Sequence, residues 1–232
     1  MAAERLLRIL GLLAATGTGE GRRLCEVAAE VTGMSGAGVM LLADGRPQAS
    51  VCTTDTVSAL IEELQYTFGE GPCVDAHHSG TVVAEPDLEA AGPHRWSAFS
   101  PPAVRAGARA VFGIPIRIGT VRLGALNLYR DRPGRLGDDQ HADALVMADV
   151  TARALLASQA EAPAGRLPSE LESDTDQWLV VHQAAGMVSI QLDVSVEDAL
   201  VRLRAHAFGV DRPVTDIARE VVERRLRLDG DG

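Results

Sequence analysis

Between Trp178 and Leu228 the chain has room for three short helices and almost nothing else. Trp178, Val181, Ala185, Val188 and Leu192 fall close to helical spacing, and Asp174 or Thr175 is placed to cap the segment. Ser195-Val196-Glu197-Asp198 approximates a capping box, with Asp where Glu or Gln is usual. It predicts a second helix through Phe208, with Leu200, Leu203 and Ala207 as its core stripe, ended by Gly209. Pro213 suits the first turn of a third helix, which Ile217, Val221 and Val222 attach to the others. Connections this short restrict the segment to a small helical module. Gly186, inside the first helix, costs about 1 kcal/mol against Ala. A glycine there predicts close approach of something, either a neighbouring helix or a ligand.

Charge narrows what such a module can do. The net charge is −10, which argues against a surface that binds any nucleic acid by bulk attraction. From Gln177 to Leu228, however, seven arginines balance seven acids, so the excess lies elsewhere. All 22 basic residues are arginine, whose planar guanidinium fork suits phosphate and base contacts. The tail is therefore the nucleic-acid surface the sequence offers, binding through shape and specific contacts. A plain three-helix dimerisation or DNA-binding module has the same composition.

Three runs of the tail resemble the ANTAR family, a small RNA-binding module of transcription antiterminators: Gln183-Ala184-Ala185-Gly186-Met187, Ser195-Val196-Glu197-Asp198-Ala199 and Leu203-Arg204-Ala205-His206-Ala207-Phe208. Ile217-Ala218-Arg219-Glu220-Val221-Val222 extends the resemblance. It implies binding to paired RNA stem-loops in a transcript leader. Two loops call for two modules and hence a homodimer, with any association with RNA polymerase indirect, through the transcript. The implied interface comprises Gln183, Ala184, Ala185 and Gly186 as a flat surface for an unpaired base. Arg202, Arg204, Arg212 and Arg219 are its phosphate anchors, and His206, like Gln183, a hydrogen-bond donor. Many family members carry a basic residue beside the glycine; here Ala185 stands there. Arg224, Arg225 and Arg227 can instead complement a helix C-terminus.

Upstream, the pattern changes. Ala3–Ala15 and Arg22–Val31 have helical apolar spacing, broken by Gly17–Gly21. Ala37–Ala43 and Gln48–Thr54 read as a hairpin about Asp44-Gly45. Ser58–Phe68 is helical, with Leu60, Ile61, Leu64 and Phe68 on one stripe. Thr81–Ala84 is a short strand, and Arg95–Ala106 is a helix that Pro101-Pro102 interrupts or restarts. Arg109–Ile118 and Val121–Arg130 form a second hairpin, and Asp138–Ala157 is a long helix. This order implies an α+β fold, an antiparallel sheet flanked by helices. It resembles a GAF domain through Gly69-Glu70-Gly71-Pro72-Cys73, Glu85-Pro86-Asp87-Leu88, Phe112-Gly113-Ile114-Pro115-Ile116 and Leu123-Gly124-Ala125-Leu126-Asn127-Leu128-Tyr129. The organisation read is an N-terminal helix over 1–19, available for dimerisation, and a GAF-like sensory domain over 20–158. A linker rich in Ala, Pro, Ser and acids over 159–176 and an all-α three-helix ANTAR module over 177–229 follow.

Cys25, Cys52 and Cys73 are odd in number and widely spaced, which fits reduced thiols better than a disulfide framework. With no apolar run long enough to span a bilayer, the expectation is a cytoplasmic protein away from membranes. A GAF ligand pocket would involve Cys73, Glu85 and Asp87. The Cys-x3-His-His spacing of Cys73, His77 and His78, with His94 beyond, lacks a second matched pair, so no metal or haem is expected. No cofactor and no catalytic constellation are read. The competing reading makes the GAF-like part a thiol enzyme reducing an oxidised thioether, akin to a methionine sulfoxide reductase, with Cys52 and Cys73 exchanging disulfides and the tail serving dimerisation.

Overall fold

A computed structural model describes residues 2–14, 20–43, 45–91, 94–161, 176–210 and 212–228. The chain divides into two units, Met1–Asp174 and Thr175–Gly232.

The first unit is built on a five-stranded sheet in the order β2-β1-β5-β4-β3, antiparallel at every pairing. Its strands are β1 (Gly36–Ala43), β2 (Arg46–Thr53), β3 (Val83–Glu85), β4 (Ala110–Ile118) and β5 (Val121–Arg130). Both expected hairpins form. The first turns at Gly45 in the left-handed region; its other turn residue, Asp44, lies outside the described residues. Alternation along the strands decides which helices cover which face. Ala37 and Val39 of β1, Phe112, Ile114 and Ile116 of β4, and Leu126 and Leu128 of β5 share one core with α1 (Ala2–Ala14), α2 (Glu20–Thr32) and α7 (Asp138–Glu161). Ile9 anchors α1 in that core, and Arg5 and Arg8 both pair with the mostly buried carboxylate of Asp143 on α7 at 2.8 Å.

The opposite face is covered by α3 (Thr56–Phe68), α4 (Pro72–Ser79), α5 (Leu88–Ala91) and α6 (Ser100–Arg105). Asp55 caps α3 by accepting from the Ser58 backbone N–H. Two of these helices, α4 and α5, were not expected. The Gly69–Cys73 segment reads as a turn, but Pro72 sits at the first position of α4, where a missing N–H costs nothing. Of the two outcomes expected at Pro101-Pro102, the restart is the one seen: both prolines fill the first turn of α6.

Cys25 on α2 and Cys52 on β2 are joined in a disulfide, with Cα atoms 6.1 Å apart. This corrects the expectation of three reduced thiols. Sequence spacing could not show it, because the pairing depends on α2 lying across β2 in the fold.

In the second unit, α8 (Asp176–Leu192), α9 (Val196–Gly209) and α10 (Val214–Val222) bury Val181, Ala184, Ala185 and Val188 with Ala199, Leu203 and Ala207 and with Val214, Ile217, Ala218 and Val221. Ser195 caps α9, its hydroxyl accepting from the Asp198 N–H at 3.0 Å, as the capping pattern predicts. Pro213 precedes α10 as its cap. The expected cap of α8, Asp174 or Thr175, and most of the predicted linker lie outside the described residues.

Alkylation without reductant should label one thiol per denatured chain, Cys73, and three after reduction. Mass spectrometry reads the difference. Cys25→Ser should lower stability by about 3 kcal/mol, on the scale for releasing a loop of this length, as measured by chemical denaturation.

Candidate functional site

The α3/α4 face of the sheet is unusual in what its central row lacks. Asn127 on β5 stands directly between Gly38 on β1 and Gly113 on β4, both in register with it. A Cβ on Gly38 would lie 2.3 Å from Oε1 of Glu62, and one on Gly113 would lie 2.2 Å from the carbonyl oxygen of Pro72. The carboxylate of Glu62, from α3, and the first turn of α4 therefore occupy the space that the two glycines leave. Only glycine permits the backbone approach at Gly113, and a side chain at position 38 would displace the Glu62 carboxylate.

Polar groups are concentrated here although water is excluded. Glu62, Gln65, Cys73 and Asn127 are each at most 1% exposed. The backbone N–H of Cys73 donates to Oε1 of Gln65 at 2.7 Å. Nε2 of Gln65 and both polar atoms of the Asn127 amide find no hydrogen-bond partner among the described residues. An orphaned buried amide costs roughly 1–3 kcal/mol, so a stability-optimised core would not keep two side by side. The thiol of Cys73 is pushed far above the usual cysteine range, chiefly by burial and further by the nearby charge of Glu62, against the lowering effect of Gln65. At neutral pH it is a protonated thiol and a poor nucleophile. At the edge of the same face, the Tyr129 hydroxyl donates to Asp55 at 3.0 Å; burial first, then this bond, raises its pKa.

Of the expected pocket residues only Cys73 belongs to this cluster. Glu85 on β3 meets Arg95 at 3.5 Å, and Asp87 caps α5 by accepting from the Ala90 N–H at 3.1 Å. Both carboxylates organise their own loop. Glu70 of the Gly69–Cys73 motif accepts from the backbone N–H groups of Ala98 and Phe99, at 2.6 and 2.9 Å, and so pins the entry to α6. An open groove of about 700 Å³ runs along the sheet edge, lined by Asp75, His78, Ser79, Thr81 and Arg95 among others, but not by Glu62, Gln65, Cys73 or Asn127. His77 is buried while His78 and His94 are exposed. Among the described residues no three His, Cys, Asp or Glu side chains gather as metal holders.

Sequence reading missed Glu62, Gln65 and Asn127. The signal was present in α3, where Ser58, Glu62 and Gln65 recur at i, i+4 and i+7. A polar stripe is ordinarily the solvated side of a helix; here it faces the sheet, with Ile61 and Leu64.

In the second unit the predicted interface residues divide by exposure. Gln183, Arg202, Arg212 and Arg219 are exposed, and Gly186, Arg204 and His206 are half-buried. Ala184 and Ala185 are fully buried, so their side chains form the module's core and not a flat outer surface. Among the described residues a Cβ on Gly186 would meet nothing within 4 Å, so none of them makes the close approach expected of that glycine. Arg212 pairs with Glu220, and Arg219 with Asp216, at 2.9 and 2.8 Å.

Two solved structures share the fold of the first unit. The GAF domain of an Acinetobacter phosphoenolpyruvate-protein phosphotransferase aligns with a TM-score of 0.52 at 12% identity, covering 70% of this chain and 96% of that one. The GAF domain of the Coxiella burnetii phosphoenolpyruvate-protein phosphotransferase gives 0.51 at 16% identity, covering 69% and 95%. A free methionine-R-sulfoxide reductase from Neisseria meningitidis, solved with its substrate, gives 0.47 at 16% identity, covering 69% and 92%. No curated protein matches the sequence.

Asn127→Leu should stabilise the protein by ~1–3 kcal/mol in chemical denaturation, since it removes the orphaned amide at nearly constant volume. Cys73 in the folded protein should resist thiol reagents at neutral pH and react once denaturant is added. The family model for the GAF domain matches residues 21–155, and the chain belongs to the GAF family.

Proposed function

We propose that this chain is a signal-responsive regulator of transcription antitermination. Its GAF unit receives a signal, and its C-terminal unit binds paired stem-loops in transcript leaders. The observation that carries this reading is the C-terminal unit itself. It is a three-helix body with its own core, capped at Ser195, and it contains in order all four runs that resemble the ANTAR family. Among its exposed arginines, Arg202 lies on α9, Arg212 in the link that follows it and Arg219 on α10. The ion pairs of Arg212 and Arg219 are exposed and hence weak, so phosphate can compete for either guanidinium.

The GAF unit acts as the sensor in this reading. The cluster about Asn127 supports it, because orphaned polar groups held at a stability cost are characteristic of sites with a function. A homodimer brings two tail modules to two loops. Helix α1 suits the dimer contact, since Leu7 and Leu10 are exposed on the side away from Ile9. A two-state coupling follows: signal binding changes how the pair of modules is presented, and a two-loop RNA selects one presentation. The target is a transcript, which puts the protein in the cytoplasm; no single described helix is long and apolar enough to cross a membrane.

The thiol-enzyme reading lacks its reacting pair. Cys52 is bonded to Cys25, and Cys73 is buried and protonated. We therefore read the chain as non-catalytic.

Full-length protein should bind a tandem stem-loop RNA in a gel shift and bind duplex DNA of equal length much more weakly across a salt series. Arg202→Ala should weaken RNA binding by about 1.5–3 kcal/mol, the scale of a charged hydrogen bond. Equal binding to both probes would remove the RNA reading.

A further inference from the structure

Helix α8 carries no acid, lysine or arginine after its first residue. Residues 177–192 form the longest run of that kind in the chain, whereas α9 and α10 each carry both signs of charge. Val181, Ala184, Ala185 and Val188 are fully buried in the module's core. At about 100° per residue, Leu179, Gln183, Gly186 and Ile190 form a stripe on the opposite side. Leu179 is 62% exposed, and Ile190, at 85%, is the most exposed large apolar side chain among the described residues. Between them Gly186 makes a low point. No described residue comes within 4 Å of where its Cβ would stand, although glycine weakens a helix relative to alanine.

We infer that this stripe docks, antiparallel, against α8 of a second copy of the chain, with the closest approach at Gly186. The inference goes beyond the proposed function, in which α1 joins the copies, and does not depend on RNA binding. Three arguments select a second copy. First, the chain has a net charge of −10, so two copies repel over most of their surface. The uncharged length of α8 is where they can approach without opposing like charges. Second, the stripe complements itself. A two-fold axis midway between Gln183 and Gly186 sets Leu179 against the partner's Ile190 and Gln183 against the partner's Gly186. The long amide side chain then fills the low point that the missing Cβ leaves. Third, glycine at a crossing lets two helix axes approach to the near end of the range of about 8–10 Å. The crossing carries the helix ends apart, and with them Asp176 and Asp193. An RNA loop fits this stripe less well, because its phosphates would meet no arginine on α8; Arg202, Arg212 and Arg219 lie on other segments.

The test is disulfide cross-linking of the full chain. The native cysteines do not interfere, since Cys25 and Cys52 are bonded to each other and Cys73 is buried. Leu179→Cys and Ile190→Cys chains, co-expressed and mildly oxidised, should form mixed covalent dimers on a non-reducing gel, and neither variant alone should form them. Adding Gly186→Leu to both chains should cut the cross-linked fraction about tenfold, on the scale of overpacking a close contact. That leucine meets no described residue of its own unit, so the helical circular dichroism should be unchanged. Absence of mixed dimers would overturn the inference. Self-linking of Leu179→Cys alone would overturn it too, by requiring a parallel pair. So would Gly186→Leu chains that cross-link as before but lose affinity for a single stem-loop RNA, which would give the low point to a base. Failure of the wild-type protein to bind RNA would remove the RNA reading and leave the cross-linking result to decide this one.

Discussion

The first unit depends on how closely two helices can approach a sheet. The opening turn of α4 lies against Gly113 at a separation that no side chain there would permit, and the carboxylate of Glu62 lies over Gly38, where a side chain would displace it. This contact sets the depth at which α3 and α4 sit, and through them α5 and α6. It also seals Asn127 between them. The opposite face has ordinary aliphatic packing against α1, α2 and α7. The sheet thus separates an apolar layer from one that encloses a polar cluster among its apolar side chains. Interiors of the second kind are tolerated only when something compensates for groups left without hydrogen bonds.

How much of this the sequence disclosed follows from what each element required. The two hairpins and the long helices were legible because their apolar patterns run for seven residues or more. Helix α4 was not, because it is short and opens on Pro72, a residue that reads equally as a turn. The polar cluster was hidden for a different reason. Glu62 and Gln65 occupy the helix positions that normally face water, and their burial depends on two glycines 24 and 48 residues away on either side, at Gly38 and Gly113. The Cys25–Cys52 bond was hidden likewise, since it joins elements that approach only in the folded unit.

Motif residues and site residues also came apart. Gly69-Glu70-Gly71-Pro72-Cys73 was noticed for its glycines and its thiol. Its glutamate holds the backbone before α6, and its proline starts α4; only the cysteine reaches the polar cluster. In the tail, Ala184 and Ala185 carry the family resemblance because the core needs small residues there. Such positions keep the helices close, and the outward surface is left to their neighbours.

Strand β5 has a consequence that reaches across the unit. Its neighbours Leu126, Asn127 and Leu128 alternate between faces, so the residue that meets the polar cluster is bonded on both sides to residues in the core that holds α7. A strand cannot shift on one face alone. Anything that displaces the Asn127 backbone is mechanically a displacement of Leu126 and Leu128, and the sheet is a lever with its two arms in different chemical environments.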